Sequence, residues 1–212
     1  IKYNLVTSIS HEILTPLSSL KAYAFLLKEK YPEIEPVENI LRAVKRIERV
    51  VKQTQLIAMA QMGLYELKKS IVDPKKIFEE VRHDLSKLIN QKNIILKFSC
   101  EVEFLNADGF VVYTILRNLI SNAVKYSFEN SSVEVLITDE IIQVRDYGIG
   151  IKKEELSKIF QRFYRGSEAI KMAPKGSGLG LAVVKHLCKL AGYEIEVESE
   201  WMLETTFKIH LK

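Results

Sequence analysis

His11 stands beside Glu12 in the run Ser8-Ile9-Ser10-His11-Glu12-Ile13-Leu14-Thr15-Pro16-Leu17. An imidazole with a reference pKa of about 6.5 is largely unprotonated, and so nucleophilic, near neutral pH. A neighbouring carboxylate can orient one ring nitrogen and stabilise the proton released as the other attacks. Alone, this is a surface histidine on an amphipathic helix. Other stretches carry chemistry that would use it. Asn118, Asn122 and Lys125 recur at i, i+4 and i+7 and so share one helix face. An amide oxygen is a neutral hard ligand, suited to a Mg²⁺ that takes most of its charge balance from phosphates. A lysine one turn on can hold those phosphates.

Two glycine motifs follow. In Arg145-Asp146-Tyr147-Gly148-Ile149-Gly150-Ile151, a carboxylate able to accept from an exocyclic amine precedes two glycines. Those glycines let the backbone bend and approach a flat ligand. In Lys175-Gly176-Ser177-Gly178-Leu179-Gly180-Leu181, glycines run straight into a helix, whose first N–H groups form an anion site. Five of the chain's nine glycines fall in these two motifs, so they are not ordinary loop composition. The spacing is neither the dinucleotide nor the Walker pattern. Asp146-Tyr147-Gly148 mimics the D-F-G of Ser/Thr/Tyr protein kinases, but no H-R-D-x-x-x-x-N or V-A-I-K accompanies it. Between the glycine motifs, Ile159-Phe160-Gln161-Arg162-Phe163-Tyr164-Arg165-Gly166 places aromatics next to arginines, as a lid reaching phosphates would.

These residues need elements to position them. Leu5, Ile9, Ile13, Leu17, Leu20, Ala24 and Leu27 step by three and four, which predicts a helix over 2–30. His11 then points away from that apolar stripe, and Leu14, Thr15 and Ser18 share its face. Pro16 should kink the helix. Tyr31–Pro36, with two prolines, predicts a turn. A heptad-like seam of Ile40, Val44, Ile47, Val51, Thr54, Ala58 and Gln61 predicts a second helix over 36–66. Two such helices bury little alone, so a dimeric four-helix bundle is expected.

From residue 67 the period changes. Asp73-Pro74 reads as an N-cap followed by Pro at the first helical position, opening a helix to about Asn90. Strands are predicted at Ile94–Phe98 and Val102–Phe104, a helix at Asp108–Tyr126, and a hairpin of Val133–Ile137 with Ile141–Arg145. A helix over Gly178–Ala191 and strands at Tyr193–Glu198 and Thr205–Leu211 close the chain. The predicted organisation is two domains, 1–66 and 67–212: an all-α helical hairpin, then an α+β two-layer sandwich.

Composition sets the outer limits. The 212 residues are 47% hydrophobic and 27% charged, with a net charge of +4 and no basic run, which argues against nucleic acid as a partner. Cys100 and Cys188 fit no disulfide or metal spacing. No apolar run reaches the length of roughly 18 residues that a membrane span requires. The chain opens already inside a helical pattern, so it is expected to be a fragment of a longer protein.

In their order, these motifs resemble the catalytic core of sensor histidine kinases, over essentially the whole chain. S-H-E-I-L-T-P-L resembles the H box, R-N-L-I-S-N-A-V-K-Y-S the N box and D-Y-G-I-G-I the G1 box. F-Q-R-F-Y-R resembles the F box and G-S-G-L-G-L the G2 box. The resemblance implies a HisKA-type dimerisation and phosphotransfer domain followed by a Bergerat-type ATP-binding domain. It implies that His11 attacks the γ-phosphate of ATP, that Glu12 is its acid/base partner, and that Thr15 orients water if the protein also dephosphorylates its partner. It makes Asn122 the Mg²⁺ ligand, with Asn118 in support. Lys125, Tyr126, Tyr164 and Arg165 become nucleotide and phosphate contacts, and Asp146 the adenine-reading carboxylate. Gly148, Gly150, Gly176, Gly178, Leu179 and Gly180 shape the pocket and lid. It further implies a homodimer through the hairpin and a response-regulator receiver domain as partner. A cytoplasmic location follows, with the parent protein at the cytoplasmic face of the inner membrane. Leu14 departs from the pattern by replacing a basic residue, and Met202 and Glu204 by replacing glycines, so an altered loop is expected near 202–204.

Overall fold

The computed structural model describes residues 2–31, 65–174 and 176–211, plus positions 40, 43–44, 47–48, 50–52, 54–55 and 58–59. For residues 2–12 the description extends to the backbone. The chain separates into two compact units, Ile1–Tyr65 and Glu66–Lys212.

In the first unit, helix α1 spans Lys2–Lys30 and runs through Pro16 as one element. Lys28 and Lys30 lie in its last turn, where positive charge complements the helix dipole. It stops at Tyr31. All described positions between 40 and 59 are helical. Lys21 Nζ meets Glu48 Oε2 at 3.0 Å, which holds this second helical stretch alongside α1. Leu17, Ala24 and Val44 are buried. Ile13, Leu20 and Leu27, expected on the same apolar stripe as Leu17 and Ala24, are exposed, as are Ile40 and Ile47. An amphipathic helix carries an apolar stripe at least 100° wide, broader than one antiparallel neighbour covers. Tyr65 and Glu66 are non-helical, so the predicted end of the second helix at 66 is too late. The expected turn at 32–36 and the side chains of Leu5 and Ile9 lie outside the described residues.

The second unit is an α/β sandwich. Strand β1 (Lys69–Val72) pairs antiparallel with β3 (Leu105–Asp108) in a small two-stranded sheet. The main sheet contains β2 (Ile95–Cys100), β4 (Ser132–Ile137), β5 (Ile141–Asp146), β6 (Glu194–Glu200) and β7 (Glu204–His210). Its order is β2-β4-β5-β7-β6, with β2 and β4 parallel and the rest antiparallel. Helices α2 (Pro74–Gln91), α3 (Gly109–Tyr126) and α5 (Gly180–Ala191) form the other layer, with α3 packed against both α2 and α5. The short α4 (Ser167–Met172) lies in the stretch between the glycine motifs.

Asp73 caps α2 as its sequence predicts, accepting from Lys75 N at 2.9 Å and Lys76 N at 3.2 Å. Asp108 does the same for α3 through Phe110 N at 3.0 Å and Val111 N at 3.1 Å. The strand predicted at Val102–Phe104 falls instead at Leu105–Asp108 and ends on that cap. Strand alternation then sets the site. On β5, Ile142, Val144 and Asp146 are all buried, so the period of two carries a carboxylate to the end of a core-facing apolar row.

Candidate functional site

Asp146 is 5% exposed, and its Oδ1 is buried with no hydrogen-bond partner among the described residues. Burial first, and then the nearby Glu204 carboxylate, push its pKa up to about 8, while the Lys92 ammonium pulls it back. A buried acceptor without a donor is costly unless a ligand supplies one. Beyond Asp146 the chain runs antiparallel to the segment that follows α3. Ser127 bridges Gly148, Phe128 N donates to Tyr147 O at 3.0 Å, and Ile149 N donates to Tyr126 O at 3.1 Å. A Cβ on Gly148 would lie 1.9 Å from the Tyr126 carbonyl oxygen, so any side chain there forces the backbone to shift. Gly150 has φ +60° and the Glu200 carbonyl oxygen 2.1 Å from its would-be Cβ. These glycines let three backbone segments meet beside the carboxylate.

The amide stripe lies on α3. Asn118 is buried and donates from Nδ2 to Thr114 O at 2.8 Å. Its Oδ1 faces the start of α5, 3.0 Å from where a Gly180 Cβ would be. Gly180 thus leaves room for the asparagine side chain. Asn122, Lys125 and Tyr126 follow on α3, all half-buried. Helix α5 begins at Gly180 with fully buried Leu179 as N-cap and no capping side-chain hydrogen bond. That opening turn offers N–H groups to an anion.

The lid is tied to itself. Phe163, at φ +63°, donates from its backbone to Gly178 O at 3.0 Å, and Gly178 has φ +69°. A Cβ on Gly178 would lie 2.6 Å from the Phe163 carbonyl carbon. Arg165 holds lid carbonyls: Nη1 donates to Pro174 O at 3.0 Å, and Nη2 to Ala169 O at 3.1 Å and to Ala173 O. Gly176 leaves room for that guanidinium. The Tyr164 hydroxyl donates to Glu155 Oε1 at 3.3 Å, and burial together with that carboxylate raises its pKa. The structure therefore joins Asn118 with Gly180, Tyr126 with Gly148, Phe163 with Gly178, and Arg165 with Gly176. It directs Arg165 to the lid's own carbonyls, where the sequence suggests phosphate.

Two charges act on Asp146 that the sequence does not connect with it. Lys92 donates to Lys125 O at 2.7 Å and to Ser127 O at 2.6 Å. Glu204 accepts from Arg145 Nε at 3.0 Å. Glu204 is conspicuous as a departure from the family pattern. Lys92 is one lysine in a turn, with no local signal. The turn at 201–203 is built on Met202 at φ +61°, whose N–H donates to Ile149 O at 2.9 Å. Ser199 Oγ accepts from Ile151 N at 2.8 Å and donates to Glu204 O at 2.7 Å.

His11, Glu12 and Thr15 lie on α1 in the other unit. The side chains of His11 and Glu12 are outside the described residues, and with them the predicted direction of His11. Thr15 is exposed.

The α/β unit thus carries a buried carboxylate with an unpartnered acceptor, glycines that admit close backbone approach, and a helix start without a capping side chain. Residues 107–212 match the family model described as histidine kinase-, DNA gyrase B- and HSP90-like ATPase, and residues 1–63 match the His Kinase A (phospho-acceptor) domain. The sensor histidine kinase YkoH of Bacillus subtilis is 31% identical over 202 residues, covering 92% of this chain and 44% of that protein. The sensor protein VanSC of Enterococcus gallinarum is 27% identical, covering 94% of this chain and 58% of that protein. The chain thus spans roughly a quarter to three-fifths of the curated relatives it matches. Among solved structures, full-length ShkA in complex with AMPPNP gives a TM-score of 0.82 at 23% identity, over 99% of this chain and 46% of that one. The Acinetobacter baumannii histidine kinase AdeS gives 0.69 at 20% identity, over 94% and 96%. The chain belongs to the histidine kinase-, DNA gyrase B- and HSP90-like ATPase family, as a sensor histidine kinase catalytic core with an ATP-binding domain. Among the described residues, no helix is long and apolar enough to cross a membrane.

Proposed function

We propose that this chain is the working core of an ATP-dependent protein-histidine kinase, with 1–66 as dimerisation and phosphotransfer domain and 67–212 as ATP-binding domain. The observation that carries this reading is the Asp146 carboxyl, buried with a free Oδ1 beside a glycine floor. Its acceptor suits the exocyclic amine of adenine. Gly148 and Gly150 admit the base, and Gly176, Gly178, Leu179 and Gly180 lead the phosphates to the N–H groups opening α5. Lys125, Tyr126, Tyr164 and Arg165 line the path, and Arg165 must exchange lid carbonyls for phosphate to take part. Asn122 would hold Mg²⁺ with Asn118 in support, a fit carried by the Asn118 Oδ1 facing the start of α5. Bound there, the ion would neutralise charge on the phosphate oxygens.

One imidazole nitrogen of His11 attacks the γ-phosphorus. The bond to the bridging oxygen breaks and ADP leaves with the electron pair. Glu12 takes the ring proton. Phosphohistidine then passes its phosphoryl group to an Asp of a response-regulator receiver domain; where the protein also acts as a phosphatase of that regulator, Thr15 orients the water that hydrolyses the aspartyl phosphate and releases inorganic phosphate. The exposed Ile13, Leu20, Leu27, Ile40 and Ile47 supply the surface of a homodimer. The chain works in the cytoplasm, and its parent sits at the cytoplasmic face of the inner membrane. Incubation with γ-labelled ATP and Mg²⁺ tests the reading. The protein should gain acid-labile, alkali-stable label, and His11→Gln should gain none. Nucleotide binding without any phosphoprotein would instead make it a nucleotide-gated dimerisation module.

A further inference from the structure

Lys92 follows the last residue of α2 and is its C-cap. Its ammonium donates to the Lys125 and Ser127 carbonyl oxygens at 2.7 and 2.6 Å, and its own carbonyl accepts from Asn130 N at 3.1 Å. The Lys125 and Ser127 carbonyls belong to the end of α3, where a cation meets the negative end of the helix dipole. The same end of α3 supports the floor of the site: Tyr126 O accepts from Ile149 N, and Ser127 bridges Gly148. Lys92 therefore grips the strip of backbone against which the glycine floor is laid.

We propose that Lys92 is a positioning residue for adenine recognition: it clamps the end of α3 against Asp146–Gly150 and sets a positive charge beside the Asp146 carboxyl. The proposal rests on the adenine-reading role given to Asp146 above. Two opposite charges act on that carboxyl from different elements. Glu204, at the start of β7 and paired with Arg145, opposes its ionisation, and Lys92 favours it. Lys92 in turn is influenced by Glu129 and Asp146, while burial lowers its own pKa. An exocyclic amine is a donor, and an ionised acceptor binds it more strongly than a neutral one. The charge of Lys92 thus favours the form of Asp146 that adenine needs.

The test is to follow the Asp146 side-chain carboxyl by carbon NMR across pH, and ADP affinity by calorimetry, in wild type, Lys92→Met and Lys92→Arg. Lys92→Met should move the Asp146 titration to higher pH and weaken ADP binding by about tenfold at neutral pH, the scale of a charge-assisted hydrogen bond. Lys92→Arg should restore the titration and most of the affinity. Lys92→Gln keeps a shorter donor without charge and serves as a second variant, expected to shift the titration in the same direction as Met. Glu204→Gln should shift it the opposite way. An Asp146 titration unchanged in a folded Met or Gln variant overturns the proposal, whatever happens to thermal stability. Wild type that binds no ADP, with a titration that still moves in the variants, would overturn the adenine reading and leave the Lys92–Asp146 coupling standing.

Discussion

In the α/β unit Ile115, Leu119, Ile137, Ile142 and Ile209 are completely buried, whereas in the helical unit Ile13, Leu20, Leu27, Ile40 and Ile47 remain 39% to 49% exposed. Both sets follow from an ordinary amphipathic pattern. A sheet covered by three helices satisfies that pattern inside one chain. In the helical unit the described residues bury Leu17, Ala24 and Val44 and leave the flanks of the stripe in water. Among the described residues, the apolar side chains of the α/β unit are thus covered within the chain, and many of those in the helical unit are not.

The comparison can be broken chemically first, where the effects are largest. His11→Gln should abolish phosphoprotein formation and leave ADP affinity unchanged, because the two functions reside in separate units. Asp146→Asn should weaken ADP binding at least about tenfold, the cost of losing a charged acceptor. Calorimetry and labelling on the same preparations decide both, and loss of ADP binding in His11→Gln would show that the units do not divide the work. Packing comes next. Ile115→Ala should cost about 2–5 kcal/mol in chemical denaturation, the usual cost of a cavity in a dense core. Leu20→Ala should cost no more than about 0.5 kcal/mol within one chain and instead weaken self-association, measured by sedimentation. Equal destabilisation by the two would refute the contrast between covered and uncovered apolar side chains. Gly148→Ala should cost about 1–3 kcal/mol, because a Cβ 1.9 Å from the Tyr126 carbonyl oxygen forces the floor apart. Its ADP affinity should fall with it.

The sequence is most legible where a pattern is local. The Asp73–Pro74 cap, the span of α3 and the β4–β5 hairpin all follow from residues within a few positions of one another. The glycine motifs are legible for a related reason, since only a close approach or a positive φ explains glycines so clustered. What is not legible is pairing at a distance. Strand β1 is four residues, three of them exposed, with no alternation to announce it. It exists because β3 lies beside it, and β3 itself is hidden by Asn106 and by Asp108, which doubles as a helix cap. The parallel pairing of β2 with β4 leaves no periodic trace. Lys92 belongs to the same class, since its partners are 33 and 35 residues away. Of the apolar stripe expected on α1, Leu17 and Ala24 are buried while Ile13, Leu20 and Leu27 are exposed, because periodicity marks an apolar row without saying how much of it a neighbour covers.

The subtlest difference between the units should appear as a pH dependence confined to one of them. Folded Asp146 titrates at about 8, against an ordinary value of 3.8. Between those values the unfolded chain has lost this proton and the folded nucleotide-free chain has kept it. The folded state then binds more protons, so this group makes stability fall as pH rises through that window, and its contribution levels off above about 8. Asp146→Asn removes the term. Thermal melts of the nucleotide-free protein in a series of buffers should show the α/β transition of wild type falling relative to Asp146→Asn as pH rises. The helical transition should stay the same in both proteins. On the proposed reading ADP donates to the Asp146 carboxylate and favours its ionised form, so saturating ADP should flatten the wild-type slope and leave Asp146→Asn with little response. A gap between the two proteins that is constant with pH would mean that Asp146 ionises in the folded protein as it does in water. The carboxylate would then be an ordinary partner in the site, and the coupling of its proton to adenine binding would be lost.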